Sequence, residues 1–352
     1  MTDRTVARAI DAMRRGWPVA IGDADAALRL LAIESADAAQ LAIFDPEDRA
    51  DVLLSASRAE TLKLANQREA ANPGHAVRIE RAPWLDFDAA TALADPALDL
   101  DTPLKGPFRA IDVGRQPLAD AALELARLAG LLPAFLILDG AGTEAPVRLS
   151  DIEAFVDPAS LRLATRARLP VDEDESAEIA AFRTGDGGDV HVALILGSPN
   201  GRPPVVRLHS ECLTGDVFGS LKCDCGPQLH AALKEIAGAG WGILLYLRQE
   251  GRGIGLINKL RAYHLQDQGF DTVDANTRLG FRIDARDFRV AARMLELLGQ
   301  RRIRLLTNNP AKVAGLEQAG IEVVERVPHR VAANPHNEKY LATKRDRTGH
   351  QL

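Results

Sequence analysis

Cys212, Cys223 and Cys225 are all the cysteines this 352-residue chain has, and they fall within one short segment. An odd number of thiols makes no disulfide framework and suits a reducing compartment. Spaced Cys-x10-Cys-x-Cys, they offer three soft ligands in a compact loop, a donor set suited to zinc. Three protein ligands leave a fourth tetrahedral position for water, whose pKa zinc lowers towards neutrality. That is the chemistry of a hydrolase. Two plainer readings compete. The thiols could be small buried hydrophobes, although Cys-Asp-Cys among Gly and Asp does not read as a core strand. A closed structural zinc site could take His209 or His230 as fourth ligand, and spacing alone leaves that open.

A second group of residues suits phosphate. Thr307-Asn308-Asn309-Pro310-Ala311-Lys312 follows an apolar strand and opens a helix. The free N–H groups there attract anions, and Lys312 adds a point charge. The alternative is an ordinary N-cap at Asn309 with a solvated lysine. Glu250-Gly251-Arg252-Gly253-Ile254-Gly255 fails the dinucleotide spacing, because Leu256 stands where the third glycine belongs. It reads as a turn bringing backbone close to a ligand, or as a plain left-handed turn. Asp284 reads as the N-cap of a helix over 285–298, with Asp287 in capping-box position, and also as an acid–base candidate.

These residues need a scaffold, and 352 residues favour two domains. Hydrophobic residues at 46% and charged residues at 26% exclude a disordered chain, a coiled coil and a collagen-like fibre. No apolar run approaches the roughly 20 residues of a membrane helix. No basic run is interleaved with aromatics, so a nucleic-acid binder is not expected. The opening residues carry no apolar core of a signal peptide, which predicts a cytoplasmic protein. The boundary is expected near residue 158. Residues 1–158 hold 16 Lys+Arg against 26 Asp+Glu and residues 159–352 hold 27 against 23, so anions are expected in the second half.

Periodicity predicts a helix over 6–15, a strand over 18–21, a helix over 120–130 closed by Gly130 and a strand over 134–138. The acidic run 172–175 reads as a solvated loop. Further on, strands over 190–196 and 204–208 read as a hairpin turning at Asn200-Gly201. Helices follow over 228–237, 256–268 and 285–298 and from Pro310, with strands over 243–247, 303–306 and 321–324. The fold class is α/β (mixed α+β), with two domains, each a mixed sheet with covering helices.

Around the cysteines runs Arg207-Leu208-His209-Ser210-Glu211-Cys212-Leu213-Thr214-Gly215-Asp216, then Ser220-Leu221-Lys222-Cys223-Asp224-Cys225-Gly226. Over residues 159–352 the chain closely resembles GTP cyclohydrolase II. Further motifs match in order: Arg248-Gln249-Glu250-Gly251-Arg252, Lys259-x-Arg261-Ala262-Tyr263, Asp267-Gln268-Gly269, Asp274-Ala275-Asn276, Leu279-Gly280, Asp284-x-Arg286-Asp287-Phe288, Leu305–Lys312 and the tail Asn334-Pro335-x-Asn337-Glu338-x-Tyr340-Leu341. The resemblance implies zinc on Cys212, Cys223 and Cys225, and Mg²⁺ with the triphosphate. It implies a GTP pocket of Arg207, Leu208, His209, Ser210, Glu211, Gln228, Glu250, Gly251, Arg252, Thr272, Thr307 and Lys312. Asp284 is the implied acid/base and Arg286 the implied nucleophile towards the α-phosphate. A permanently charged guanidinium serves more simply as an electrostatic clamp. Tyr263 would orient the attacked base or the hydrolytic water. The implied products are pyrophosphate, formate and 2,5-diamino-6-(5-phosphoribosylamino)pyrimidin-4-one, at the start of riboflavin synthesis.

Residues 1–158 resemble a degenerate 3,4-dihydroxy-2-butanone-4-phosphate synthase, through Ala9–Val19 and Ala121–Ala134. Where that family carries an acidic metal loop, this chain has Asp23-Ala24-Asp25-Ala26-Ala27-Leu28-Arg29-Leu30; its His-Thr-Glu is replaced by Pro117-Leu118-Ala119-Asp120. A leucine-rich loop supplies none of the well-placed oxygens Mg²⁺ requires, so synthase activity is expected to be absent. The synthase fold commonly dimerises, which implies a homodimer. The alternative function is a non-catalytic GTP-binding zinc protein with a regulatory or assembly role.

Overall fold

The computed structural model describes residues 2–184, 189–331, 334, 335, 337, 342, 343, 345–347, 349 and 351. In chain order the first half holds α1 (Thr2–Arg14), β1 (Val19–Gly22), β2 (Ala27–Ala32), α2 (Ala38–Phe44), β3 (Asp51–Ser55), α3 (Ala56–Thr61), β4 (Ala76–Ile79), α4 (Phe87–Ala94), β5 (Ala110–Ile111), α5 (Gln116–Ala129), β6 (Ala134–Asp139), β7 (Val147–Arg148) and α6 (Leu149–Phe155). There follow β8 (Arg162–Arg168), β9 (Glu178–Arg183), β10 (His191–Gly197), β11 (Val205–Ser210), α7 (Cys225–Gly238), β12 (Trp241–Leu247), the short turn α8 (Glu250–Gly253), α9 (Leu256–Asp267), α10 (Thr272–Arg278), α11 (Phe288–Leu297), β13 (Arg302–Leu306), α12 (Pro310–Gln318) and β14 (Glu322–Val327). Both sheets are mixed and seven-stranded, ordered β5-β4-β3-β6-β2-β1-β7 and β14-β13-β11-β12-β10-β9-β8. The α/β class with two mixed sheets and covering helices is therefore observed.

The strands read as they pack. Successive side chains of a strand point to opposite faces. In β2, Leu28, Leu30 and Ala32 join one core with α1 and α5 residues such as Val6, Met13, Leu118 and Leu125. Leu31 and Ile33 join a separate core with Phe44, Val52 and Leu54. In the second sheet Ile243, Leu245 and Leu247 pack with Ala291 and Leu295 of α11 on one face. Leu244 packs with Ala232 and Ile236 of α7 on the other. Strands buried on both faces need continuous apolar sequence, and Trp241–Leu247 supplies it. Gly130 caps α5 in the left-handed region (φ 76°), as its position just past the last apolar residue predicts.

Three local expectations change. The strands over 190–196 and 204–208 do not pair as a hairpin: β12 lies between β10 and β11, antiparallel to the first and parallel to the second. The connection carries Pro199, Pro203 and Pro204, far from a two-residue hairpin turn, and the most apolar strand takes the central place. The antiparallel neighbours in sequence are instead β8 with β9, joined through the acidic run, and β9 with β10. That run is tied down as well as solvated, since Asp174 accepts from the N–H of Ser176 and of Gly197 at 2.8 and 2.7 Å. The helix expected over 285–298 starts at Phe288 with Asp287 as its N-cap, accepting from Arg289 N at 2.9 Å. Asp284 is therefore no N-cap. A helix over Thr272–Arg278 is added, capped by Asp271 through Val273 N and Asp274 N.

Compactness divides the chain into Met1–Asp157 with Ile254–Ala285, and Pro158–Gly253 with Arg286–Leu352. The first crossing falls beside the expected boundary. The continuous second domain over 159–352, however, is interrupted by a segment that belongs to the first unit. The reason is apolar: Leu132 shares a core with Ile254, Ala262, Leu265, Ala275, Leu279 and Phe281.

Candidate active site

In the second unit β11, β12 and β13 run parallel and adjacent. Their carboxyl ends lead into Glu211–Cys212, Arg248–Arg252 and Thr307–Lys312. Ligands of open α/β sheets bind at such ends, where loops converge and backbone groups are unpaired. Sequence positions up to a hundred residues apart thus meet at one edge.

The thiols come together there. The Sγ atoms of Cys212, Cys223 and Cys225 all lie within 4.8 Å of one another, and no histidine or carboxylate of the described residues joins them. Cys212 Sγ is 3.7 Å from Cys223 Sγ and accepts from Gly215 N at 3.3 Å. The Cys223 thiol is pushed up, first by its hydrogen bond with Cys212. One π-turn, Leu213–Val217, and the N-terminus of α7 shape the cradle. A helix N-terminus favours thiolate.

Gly215 shows how tightly the cradle closes. A Cβ there would stand 2.8 Å from Cys223 Sγ and 3.0 Å from Cys212 Sγ, and one on Gly226 would strike Gly215 O at 2.4 Å. Three soft donors gathered around a centre, with no fourth ligand among the described residues, fit a zinc ion with one open position. Gly215→Ala should therefore hold less than about a tenth of whatever metal the thiols of the parent protein hold, read by metal analysis of the purified protein. Full occupancy in that variant would refute the crowding argument.

Neither histidine closes the site. His209 places Nε2 at 3.1 Å from both oxygens of Asp216, and His230 Nδ1 meets Gly226 O at 2.8 Å. Asp216 also accepts from Tyr246 OH at 2.9 Å and from Cys212 N at 3.0 Å. This one buried carboxylate ties β11, β12 and the cysteine loop together. Burial holds His209 below the usual imidazole range, so it is neutral at pH 7. The same burial raises the Tyr246 phenol. Asp216 and Tyr246 carry no expectation from sequence; a lone tyrosine within an otherwise apolar buried strand was the available signal.

The cationic side is equally buried. Arg207 donates to Gln228 Oε1 at 2.6 Å and Leu306 O at 3.1 Å, and burial brings it down to about 10, still charged at pH 7. Gln228 in turn donates to Asp224 Oδ2 at 2.5 Å. Lys312 is 7% exposed and donates to Leu208 O at 2.7 Å, so it is no solvated lysine. Asn309 caps α12 by accepting from Ala311 N at 2.9 Å, and Thr307 Oγ1 accepts from Asn309 N at 3.0 Å. Arg286 lies over the Phe288 ring at 5.4 Å, and its charge acts on Arg207.

Glu211 pairs with Arg248 at 3.0 Å and is raised by burial. Glu250 accepts from Leu213 N at 2.7 Å. Gly251 and Arg252 both take left-handed backbone (φ 62° and 61°), which for arginine is strained and puts a sharp bend beside the cysteine loop. Arg207 Nε, His209 Nδ1 and Ser210 Oγ are buried polar atoms with no partner among the described residues. Buried polar atoms are nearly always paired, and a run of orphans at a strand end suits a polar ligand.

Tyr263 (on α9), Thr272 (opening α10) and Asp284 belong to the first unit. Tyr263 is half-buried with Lys259 Nζ 5.7 Å from its ring centre. Thr272 Oγ1 accepts from Gln266 Nε2 at 3.3 Å. In the tail, Asn337 Nδ2 donates to Cys223 O at 3.5 Å; Glu338, Tyr340 and Leu341 lie outside the described residues.

The fold and site define a mixed α/β protein with a cluster of three thiols beside the buried cations Arg207 and Lys312. The GTP cyclohydrolase II family profile matches residues 162–328. A GTP cyclohydrolase-2 from Azospirillum brasilense is 46% identical across 99% of this chain and 94% of its own. The riboflavin biosynthesis protein RibBA of Bacillus subtilis is 62% identical over 47% of this chain and 42% of its own. This chain belongs to the GTP cyclohydrolase II family. A solved two-domain 3,4-dihydroxy-2-butanone 4-phosphate synthase from A. baumannii aligns over 94% of this chain and 99% of its own at 18% identity, with a TM-score of 0.30.

Proposed function

We propose that the protein hydrolyses GTP to 2,5-diamino-6-(5-phosphoribosylamino)pyrimidin-4-one, formate and pyrophosphate, the entry step of riboflavin synthesis. The observation that carries this reading is the meeting, at the carboxyl ends of β11–β13, of the thiol cluster with buried Arg207 and Lys312. Cys212, Cys223 and Cys225 would hold zinc, which when bound supplies an activated water near neutral pH. Mg²⁺ would accompany the triphosphate.

The chain's own groups have separable work. Arg207, Lys312 and the α12 N-terminus bind the triphosphate, with Thr307 at its mouth. Arg286 neutralises charge that builds on the α-phosphate as the bond to the pyrophosphate breaks. His209, Ser210, Glu211, Gln228, Glu250, Gly251, Arg252 and Thr272 complete the nucleotide pocket. Tyr263 orients the guanine ring or the incoming water, and Asp284 takes and returns protons at its carboxylate as C8 leaves as formate.

The reading assigns the two halves different fates, 1–158 an inert synthase-like domain and 159–352 the cyclohydrolase, in a cytoplasmic homodimer. Synthase chemistry needs open oxygen ligands for a metal. Here Asp23 and Asp25 are taken by Arg115, whose guanidinium reaches them at 2.7 and 3.1 Å. A fixed cation of the chain stands against the remaining acids. Incubation with GTP and Mg²⁺ should yield equal formate and diaminopyrimidine, and ribulose 5-phosphate should yield no dihydroxybutanone phosphate. GTP binding without formate would favour the regulatory alternative, and dihydroxybutanone phosphate would refute the inert half.

A further inference from the structure

Helix α9, which carries Tyr263, is fastened to the body of residues 1–157 by a closed circuit of polar contacts. Asn258, fully buried, donates from Nδ2 to Gly130 O at 3.1 Å and to Ile254 O at 3.0 Å. Arg261 donates from Nη1 to Asn258 Oδ1 at 2.8 Å and from Nη2 to Glu34 Oε1 at 2.9 Å. The other oxygen of Glu34 accepts from Leu132 N at 2.6 Å. Glu34 and Arg261 are 15% and 22% exposed, so water competes weakly for either. Leu132, beside this circuit, is 2% exposed and packs into the apolar face of the same helix.

The next helix is held to the same body. Arg278 reaches Asp99 at 3.4 Å, with its guanidinium 4.0 Å from the Phe270 ring centre. Gly280, at φ 85°, comes so close that a Cβ there would stand 2.8 Å from Ser55 Oγ and 2.9 Å from Pro133 Cγ. Segment 254–285 is thus seated on the first half by ion pairs, a buried amide and close backbone approach.

We propose that residues 1–157 serve the ring-opening reaction by holding α9 in place, with Glu34 the positioning residue for Tyr263. The inference rests on the reading of Tyr263 as a site residue of the cyclohydrolase. Arg261 and Tyr263 stand two residues apart, about 200° around the helix. The anchored side is therefore not the side that presents the phenol. Releasing the anchor lets the helix turn and tilt, and misplacement of a reacting group by about an ångström costs up to about a hundredfold in rate.

The experiment uses the full chain. In Glu34→Ala, kcat for formate release should fall about tenfold or more while KM for GTP stays within about twofold, because the phosphate-binding groups are untouched. Amide exchange in residues 256–267 should quicken about tenfold, with zinc content unchanged. In a Tyr263→Phe background, Glu34→Ala should add less than about a twofold loss. Glu34→Gln keeps one of the two acceptors, for either Leu132 N or Arg261, and should recover part of the kcat lost in Glu34→Ala, which separates the role from a failure to fold. Ile137→Val, a core truncation away from α9, should lower the melting temperature and leave kcat alone. Faster exchange with unchanged kcat, or a full multiplicative loss in the Tyr263→Phe background, overturns the positioning role. A parent protein that makes no formate overturns the functional reading on which it rests, and exchange in Glu34→Ala still reports whether the circuit holds the helix.

Discussion

Cys223→Ser should release formate from GTP about a thousandfold more slowly than the parent, or not at all, while binding no zinc. A serine hydroxyl stays protonated at neutral pH and is a poor zinc ligand, so two thiolates remain where three stood within 4.8 Å. The same variant should keep a measurable part of its pyrophosphate release. In the proposed reading phosphoanhydride cleavage would rest on Arg286, Lys312 and Mg²⁺, and Lys312 is anchored on Leu208 O rather than on the thiols. Metal analysis and separate assays of formate and pyrophosphate decide it. Zinc-free protein with full activity would defeat the assignment of the metal. Equal loss of both products in a folded variant would show that the halves are coupled.

Arg286→Lys should retain about 1–10% of pyrophosphate release, and Arg286→Ala should lose about 10²–10³-fold. A clamp needs positive charge at the α-phosphate, which an ammonium supplies without the planar fork. A nucleophile needs a particular nitrogen lone pair, and neither variant would then act. Arg286 sits in the short stretch before the Asp287 cap, with its guanidinium over Phe288 and its charge felt at buried Arg207. Like charges gathered in a low-dielectric site are held most favourably around an anion. A lysine variant as inactive as the alanine one would return the nucleophilic role to Arg286.

The cysteines, the strand ends and the Asn309–Pro310 helix start were legible because each has a local signature: donor type and spacing, apolar runs, a cap followed by proline. Strand order was not. Val190–Leu196 and Pro204–Leu208 look like hairpin partners in sequence, and only the competition among strands for the doubly buried centre places β12 between them. The start of α11 was misjudged because Asp284 and Asp287 are both plausible caps; the bond from Arg289 N to Asp287 decides. Asp216 was visible in its motif yet silent about its role, which comes from three donors that reach it from different elements. The seating of α9 on Glu34 was invisible for a like reason, since those residues are 227 positions apart.

The interrupted first unit has a consequence for biosynthesis. Domains fold as the chain emerges from the ribosome, N-terminal first. Residues 1–157 can complete their sheet early, yet Ile254–Ala285 leaves the tunnel roughly 100 residues later, about 5–20 s at ordinary elongation rates. During that interval the nascent chain shows Leu132 without its apolar partners and Glu34 without Arg261, while Asp99 keeps Arg58 and Lys105. A ribosome-bound chain arrested near residue 240 should accordingly recruit trigger-type chaperones and be nicked near Leu132, whereas one arrested past the release of residue 285 should resist both.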